Sequence, residues 1–173
     1  LKPLNPYGES KRAFDEWALG REKEGKTPPS WAGFKFIPVS GFKAPPQKPM
    51  ASLIVHAYHQ ILATGTVKLF KSHRDGIRDG DQKRDFIYVD DVIAALFFAL
   101  EKPIERGIYN LGTGHARTFH DLVRATFAAM KVPEKIEFIP TPEILRERYQ
   151  YFTEAKMDRL RASGFTRRPT SLE

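Results

Sequence analysis

The sequence contains no cysteine. That excludes a disulfide framework and any thiolate metal centre, and it suits a reducing, cytoplasmic compartment. Nor is there an apolar run near the ~20 residues a membrane helix needs. The longest, Val92 to Leu100, reads as a buried helix, so no membrane association is expected. The opening residues Leu1 to Pro6 carry no apolar stretch after a positive start, which gives no sign of a secretory signal. The five histidines (His56, His59, His73, His115 and His120) lack metal-ligand spacing. His56 and His59 lie three apart on an expected helix, but no acidic residue sits nearby in sequence, so no metal site is expected. Internal repeats and low-complexity tracts are also missing.

What is present describes a domain with a real core. A chain of 173 residues can bury roughly 70% of its unfolded surface, and the 41% hydrophobic and 12% aromatic shares supply the material. The net charge of +7 points to an anionic partner, either nucleic acid or a phosphorylated small molecule. Acids interleave with the bases: Lys71, Arg74, Arg78, Lys83 and Arg84 alternate with Asp75, Asp79, Asp81 and Asp85. Zinc-finger spacing, an RNA-binding aromatic motif and a basic arm are all absent, which favours the small molecule over nucleic acid. The chain opens on Leu1 rather than methionine, six residues ahead of its most suggestive motif, and is expected to be a piece of a longer protein.

Periodicity alternates between short strands and helices, an α/β pattern. Helices are predicted over Ser10–Arg21, Met50–Leu62, Val92–Leu100 with Asp90 as cap, Thr118–Met130, and a last one capped by Thr153 and closed by Gly164. Strands are predicted at Phe34–Val39, Val67–Phe70, Phe86–Val89, Gly107–Leu111 and Ile136–Ile139. The charged stretch from Lys71 to Lys83 reads as a loop.

Three short motifs carry chemistry. Tyr7 and Lys11 are four apart, so a helix reaching back to Tyr7 projects both from one face. A phenol titrates near ~10, and a tyrosine base working near neutrality needs its phenolate stabilised by roughly 3 units, about 4 kcal/mol. A lysine ammonium on the same face contributes to that, and it can also donate to ribose hydroxyls. Arg84-Asp85-Phe86-Ile87-Tyr88-Val89-Asp90-Asp91-Val92 places a fork of donors suited to a diphosphate just before a strand. Gly112-Thr113-Gly114 lacks the third glycine of a dinucleotide fingerprint and reads as a tight turn rather than a phosphate cradle.

Taken in order, Asn5-Pro6-Tyr7-Gly8-Glu9-Ser10-Lys11, the Arg84 to Val92 segment and Tyr109-Asn110-Leu111-Gly112-Thr113-Gly114 resemble the extended short-chain dehydrogenase/reductase family of nucleotide-sugar epimerases and dehydratases. Further blocks are similar to its heptose-epimerase branch: Trp31-Ala32-Gly33-Phe34-Lys35-Phe36, Met50-Ala51-Ser52, Lys68-Leu69-Phe70-Lys71-Ser72 and Arg148-Tyr149-Gln150-Tyr151-Phe152-Thr153. The resemblance implies the C-terminal part of a Rossmann-type fold, with the last strands and helices of a doubly wound sheet plus a smaller substrate domain. Residues 1–47 would close the NADP-binding part and 48–173 would form mainly the substrate part, with 86–114 returning to the sheet. It further implies Tyr7 as proton acceptor, Lys11 as the lysine contacting NADP, and Val39 against the cofactor. His56, Phe70, Lys71, Ser72, His73, Arg84 and Tyr149 would line the pocket for an ADP-linked heptose, with Arg84 at the diphosphate. Homo-oligomers are the family's expectation for the full-length protein.

The chain departs from the family pattern at two places. The asparagine that contacts substrate falls on Pro38, which offers no side-chain hydrogen bond. The second acid/base lysine falls on Gln47, leaving the adjacent Lys48 as the candidate. The glycine-rich cofactor fingerprint and the catalytic serine or threonine belong ahead of Tyr7, so this chain by itself is not expected to hold NADP or turn over. Two alternatives stay open: a hexose 4-epimerase or 4,6-dehydratase of the same family, and a non-catalytic sugar-nucleotide or nucleic-acid binding remnant.

Overall fold

Pro6 opens the first helix, where its missing N–H costs nothing and its ring presets φ. The computed structural model describes residues 6–41, 53–147 and 149–172. Helix α1 runs Pro6–Lys23, beginning four residues before and ending two after the span the spacing predicts. Gly20 stays inside it, and Gly25, at φ 67°, turns the chain out. The helix therefore does reach back to Tyr7.

Strand β1 (Ala32–Phe36) pairs in parallel with β6 (Gly107–Leu111), Ala32 opposite Gly107 and Phe36 opposite Leu111. Among the described residues β6 is the one strand beside β1. The expected strand Phe34–Val39 is split, because Pro38 has no N–H to continue a ladder. Val39–Ser40 forms a separate β2, parallel to β5 (Ile87–Tyr88), and the Pro38 carbonyl accepts from the Ile87 amide at 3.1 Å. Helix α3 (Val89–Glu101) follows β5 directly. Its expected cap is corrected: Tyr88 holds the capping position without a side-chain bond, and Asp90 and Asp91 sit within the first turn. Their charge suits the helix N-terminus there. Asp91 is buried and receives Arg167 Nε at 3.1 Å and the Thr170 amide at 2.7 Å, which straps the end of the chain to α3. Ile87, Val92, Ala95, Tyr109, Leu111, Met157 and Leu160 form the first core.

A second core lies under helices α2 (Leu53–Thr64) and α4 (Phe119–Met130), where Ala57, Ile61, Val123 and Phe127 cover β3 (Val67–Phe70) and its parallel partner β8 (Ile136–Ile139). The part of the expected Met50–Leu62 helix before Leu53 lies outside the described residues. Thr118 starts α4 with a reciprocal capping box: its hydroxyl accepts from the Asp121 amide at 2.9 Å, and the Asp121 carboxylate accepts from its own amide at 3.2 Å.

Between the cores, β4 (Lys83–Arg84) is the middle strand of three, antiparallel to β7 (Arg117–Thr118) and parallel to β9 (Phe152–Thr153). Thr153, expected to cap the last helix, is a strand residue instead. The one-turn α5 (Glu143–Arg146) precedes it. Helix α6 (Asp158–Ala162) starts after Met157 with no side-chain cap, and Gly164 at φ 95° closes it as expected. The architecture is the mixed α/β type with parallel strand pairs that the periodicity indicates. Among the described residues no helix is long and apolar enough to cross a membrane.

Candidate active site

The first turns of α1 put Tyr7 and Lys11 on one face, with the Lys11 Nζ 5.3 Å from the centre of the Tyr7 ring. Tyr7 is 68% exposed. Both line a trough of about 720 Å³ between α1 and β1, whose walls include Phe14, Trp17, Trp31, Phe34 and Phe36. Among the described residues Lys11 has no ion-pair partner, so its three donors are open to an anion or a sugar hydroxyl. Val39 lies in β2, partly exposed, and is not part of this trough's lining.

A second group assembles where β3 ends beside β4 and the approach to β9. Burial lowers the Arg84 guanidinium from its ordinary value, and nearby Tyr149 acts in the opposite sense. The Tyr149 phenol is raised above its ordinary value, again chiefly by burial, with Arg84 working against the rise. Arg84 donates to the carbonyls of Lys83 and Gln150 and lies 5.7 Å from the Phe119 ring centre, but no carboxylate pairs with it among the described residues. A half-buried cation whose described partners are carbonyl oxygens and an aromatic face, none of them charged, is prepared for an anion.

Aromatic rings wall this position. Tyr149 meets Phe70 at 6.4 Å, His73 at 5.7 Å and Tyr151 at 5.4 Å, each edge-on. Ser72 is anchored by its amide on Asp79 at 2.6 Å. Lys71 uses its backbone, donating to Ile139 and accepting from Thr141, while its side chain is exposed. Phe70, Ser72, His73, Arg84 and Tyr149 are thus brought together. His56 is not: it sits on the exposed side of α2 with no hydrogen bond, ion pair or ring contact among the described residues. Lys48 and Gln47 lie outside the described residues.

The Gly112-Thr113-Gly114 turn is committed elsewhere. Its Thr113 and Gly114 amides donate to the buried Asp85 carboxylate at 3.0 Å each, so they are not free to cradle phosphate. The Thr113 hydroxyl and the Ala155 amide complete four bonds to that side chain. Asp85 is therefore a structural clamp.

The model of the NAD dependent epimerase/dehydratase family matches residues 1–112. The chain belongs to that family. It is 46% identical over its whole length to an ADP-L-glycero-D-manno-heptose-6-epimerase of Fusobacterium nucleatum, covering 53% of that protein. The chain spans about half the length of the curated relatives it matches. Among solved structures it is similar to a Thermus thermophilus UDP-glucose 4-epimerase in complex with NAD, with a TM-score of 0.78 and 24% identity, over 99% of this chain and 52% of that one. It is also similar to MoeE5 in complex with UDP-glucuronic acid and NAD, at 0.73 and 26%, again over 99% and 52%. The resemblance read from the ordered motifs holds, and so does the Rossmann-type architecture.

Two residues of this family member escaped the sequence reading. Tyr151 is buried within the aromatic group, and the i, i+2 spacing from Tyr149 in an extended segment was the available signal. Asp85, one of the acids interleaved with the bases, is bound to the Thr113 turn, while the Arg84 side chain serves the Lys83 and Gln150 carbonyls. The apolar Phe86-Ile87 that follows was the hint that Asp85 turns inward.

Proposed function

We propose that the protein carrying this chain epimerises ADP-D-glycero-D-manno-heptose at C6 through transient, NADP-dependent oxidation, in the assembly of lipopolysaccharide in the cytoplasm. The observation that carries the sugar-nucleotide reading is Arg84, a half-buried guanidinium with no carboxylate paired to it among the described residues, walled by Tyr149, Phe70 and His73. A diphosphate supplies the missing anion and the aromatic walls suit an adenine or sugar face. The heptose comes from the name of the relatives that match along the whole chain.

The residues at Tyr7 and Lys11 fit a nicotinamide cofactor, because an unpaired ammonium and a phenol share an open trough. Such a cofactor, when bound, takes up and returns the hydride. In this reading the Tyr7 Oη draws the proton from the sugar hydroxyl, and the Lys11 Nζ stabilises the charge left on the phenolate. Lys48 delivers the proton on the opposite face of the ketone. The division at residue 47 between cofactor and substrate portions belongs to the same proposal.

The test is Tyr7→Phe in the full-length enzyme with ADP-D-glycero-D-manno-heptose, following the C6 epimer. Loss of general-base catalysis lowers the rate by roughly 10² to 10⁴. A wild-type rate overturns the assignment. A second reading, a UDP-hexose 4-epimerase, is favoured by the fold likeness to the Thermus enzyme. Turnover of UDP-hexoses but not ADP-heptose would select it.

A further inference from the structure

The Tyr151 hydroxyl is the node of the aromatic group. It accepts from the His73 amide at 2.8 Å, lies 2.9 Å from His73 Nδ1, and is 3.4 Å from the Ser72 Oγ, whose hydrogen goes to the Arg74 carbonyl at 3.0 Å. Its ring meets that of His73 at 5.1 Å and that of Tyr149 at 5.4 Å. The other imidazole nitrogen, Nε2, is 3.1 Å from the carbonyl oxygen of Arg146.

Hydrogen-bond bookkeeping fixes the protons. A carbonyl can only accept, so Nε2 carries the ring hydrogen of the neutral imidazole, and Nδ1 is then an acceptor. The Tyr151 hydroxyl must donate to it. A directed chain results: His73 amide to Tyr151 Oη, Tyr151 hydroxyl to His73 Nδ1, His73 Nε2–H to the Arg146 carbonyl. Both nitrogens of His73 are committed, so it presents a ring edge to Tyr149 and no free donor to a ligand. The same chain ties the end of β3 to the end of α5 and to the approach to β9, the segments that surround Arg84.

We propose that Tyr151 is a positioning residue of the nucleotide site, holding His73 as the Nε2–H tautomer so that His73 and Tyr149 form a fixed wall beside Arg84. This rests on the sugar-nucleotide reading of that site. Tyr151 touches no substrate in this scheme and acts through His73.

The experiment measures ADP binding to the full chain together with the nitrogen chemical shifts of ¹⁵N-labelled His73. In the wild type the neutral form of His73 is a single tautomer protonated at Nε2. Tyr151→Phe keeps the ring and removes the hydroxyl; it leaves His73 a mixture of tautomers and weakens ADP by roughly tenfold, as expected for lost hydrogen bonds at a wall of the site. In a His73→Phe background the same change at Tyr151 adds no further loss, which a purely structural tyrosine would not obey. An unchanged ADP affinity in Tyr151→Phe, or additive losses in the double variant, overturns the proposal. So does a wild-type His73 protonated at Nδ1, a result that stands even if Tyr151→Phe does not fold. Arg84→Gln separates the two readings: if it too leaves ADP affinity untouched, or the wild type binds no ADP, the sugar-nucleotide site itself is wrong.

Discussion

Asp85 Oδ1 holds both the amide of Thr113, at 3.0 Å, and its hydroxyl, at 2.5 Å. One carboxylate therefore joins the residue after β4 to the turn after β6. Through its other oxygen it also reaches Gly114 and Ala155.

Replacing that side chain with an amide of nearly the same shape should be costly. In Asp85→Asn one of the two acceptor oxygens becomes a donor that faces N–H groups, leaving buried amides unsatisfied. Each buried donor left unsatisfied in this way costs about 1–3 kcal/mol. Urea unfolding should show the midpoint falling with little change in slope; a loss under about 1 kcal/mol would mean that the clamp is replaceable.

Gly112 is constrained by space rather than by φ. A Cβ there would lie 2.6 Å from Ala155 Cβ, 2.6 Å from Asp85 Oδ2 and 2.9 Å from Ile37 Cδ1. Gly112→Ala should destabilise by about 1–3 kcal/mol, the range for overpacking. Gly20→Ala, with nothing within 4 Å in the last turn of α1, should instead stabilise by about 0.5 kcal/mol. Thermal unfolding of the two variants should move in opposite directions.

Arg84→Gln removes the guanidinium but keeps two donors. Hydrogen bonds to charged groups are worth about 1.5–3 kcal/mol, so ADP affinity should drop roughly ten- to a hundredfold. Isothermal titration calorimetry at two salt concentrations checks this. The variant should also lose most of the salt dependence that the wild type shows.

Glu22 gives the acid limb of stability a defined origin. Its carboxylate accepts from the Thr27 hydroxyl, from Trp31 Nε1 at 2.6 Å and from Arg106 Nε at 3.0 Å. The Thr27 and Trp31 hydrogen bonds, in that order, hold its carboxyl below the ordinary value of 4.5 against a smaller opposing effect of burial, and Arg106 adds to the lowering. A folded value below the unfolded one contributes stability that is present above the unfolded value and is lost as pH falls through the folded one. Tryptophan fluorescence during acid unfolding should therefore show a transition below the usual carboxylate range. Glu22→Gln should flatten stability over that window, and an unaltered acid limb would refute the attribution.

Much of this arrangement was legible in the chain because it depends on local chemistry. The spacing of Tyr7 and Lys11 needed only a helix, and the alternation of apolar residues gave the order of strands and helices. Residue type alone marks Asp90 and Thr153 as caps, and it is insufficient for both: the first turn of α3 begins a residue before Asp90, and Thr153 is taken by the ladder with the distant Arg84. The roles of Asp85 and Tyr151 required knowing that residues 28 and 78 positions away would meet them. His56 was carried over by resemblance, and the described residues leave it unpartnered on α2.

Among the described residues β1 pairs with β6 alone, which also bears on handling. A strand with one open side presents a row of backbone donors and acceptors, which other chains can extend. Phe36, 51% exposed at the end of that strand, adds an adhesive apolar tip. Preparations of the 173-residue chain should accordingly grow turbid with concentration and bind thioflavin-type dyes sooner than the longer relatives do. Charged substitutions along β1, rather than changes in either core, are the means of keeping it dispersed.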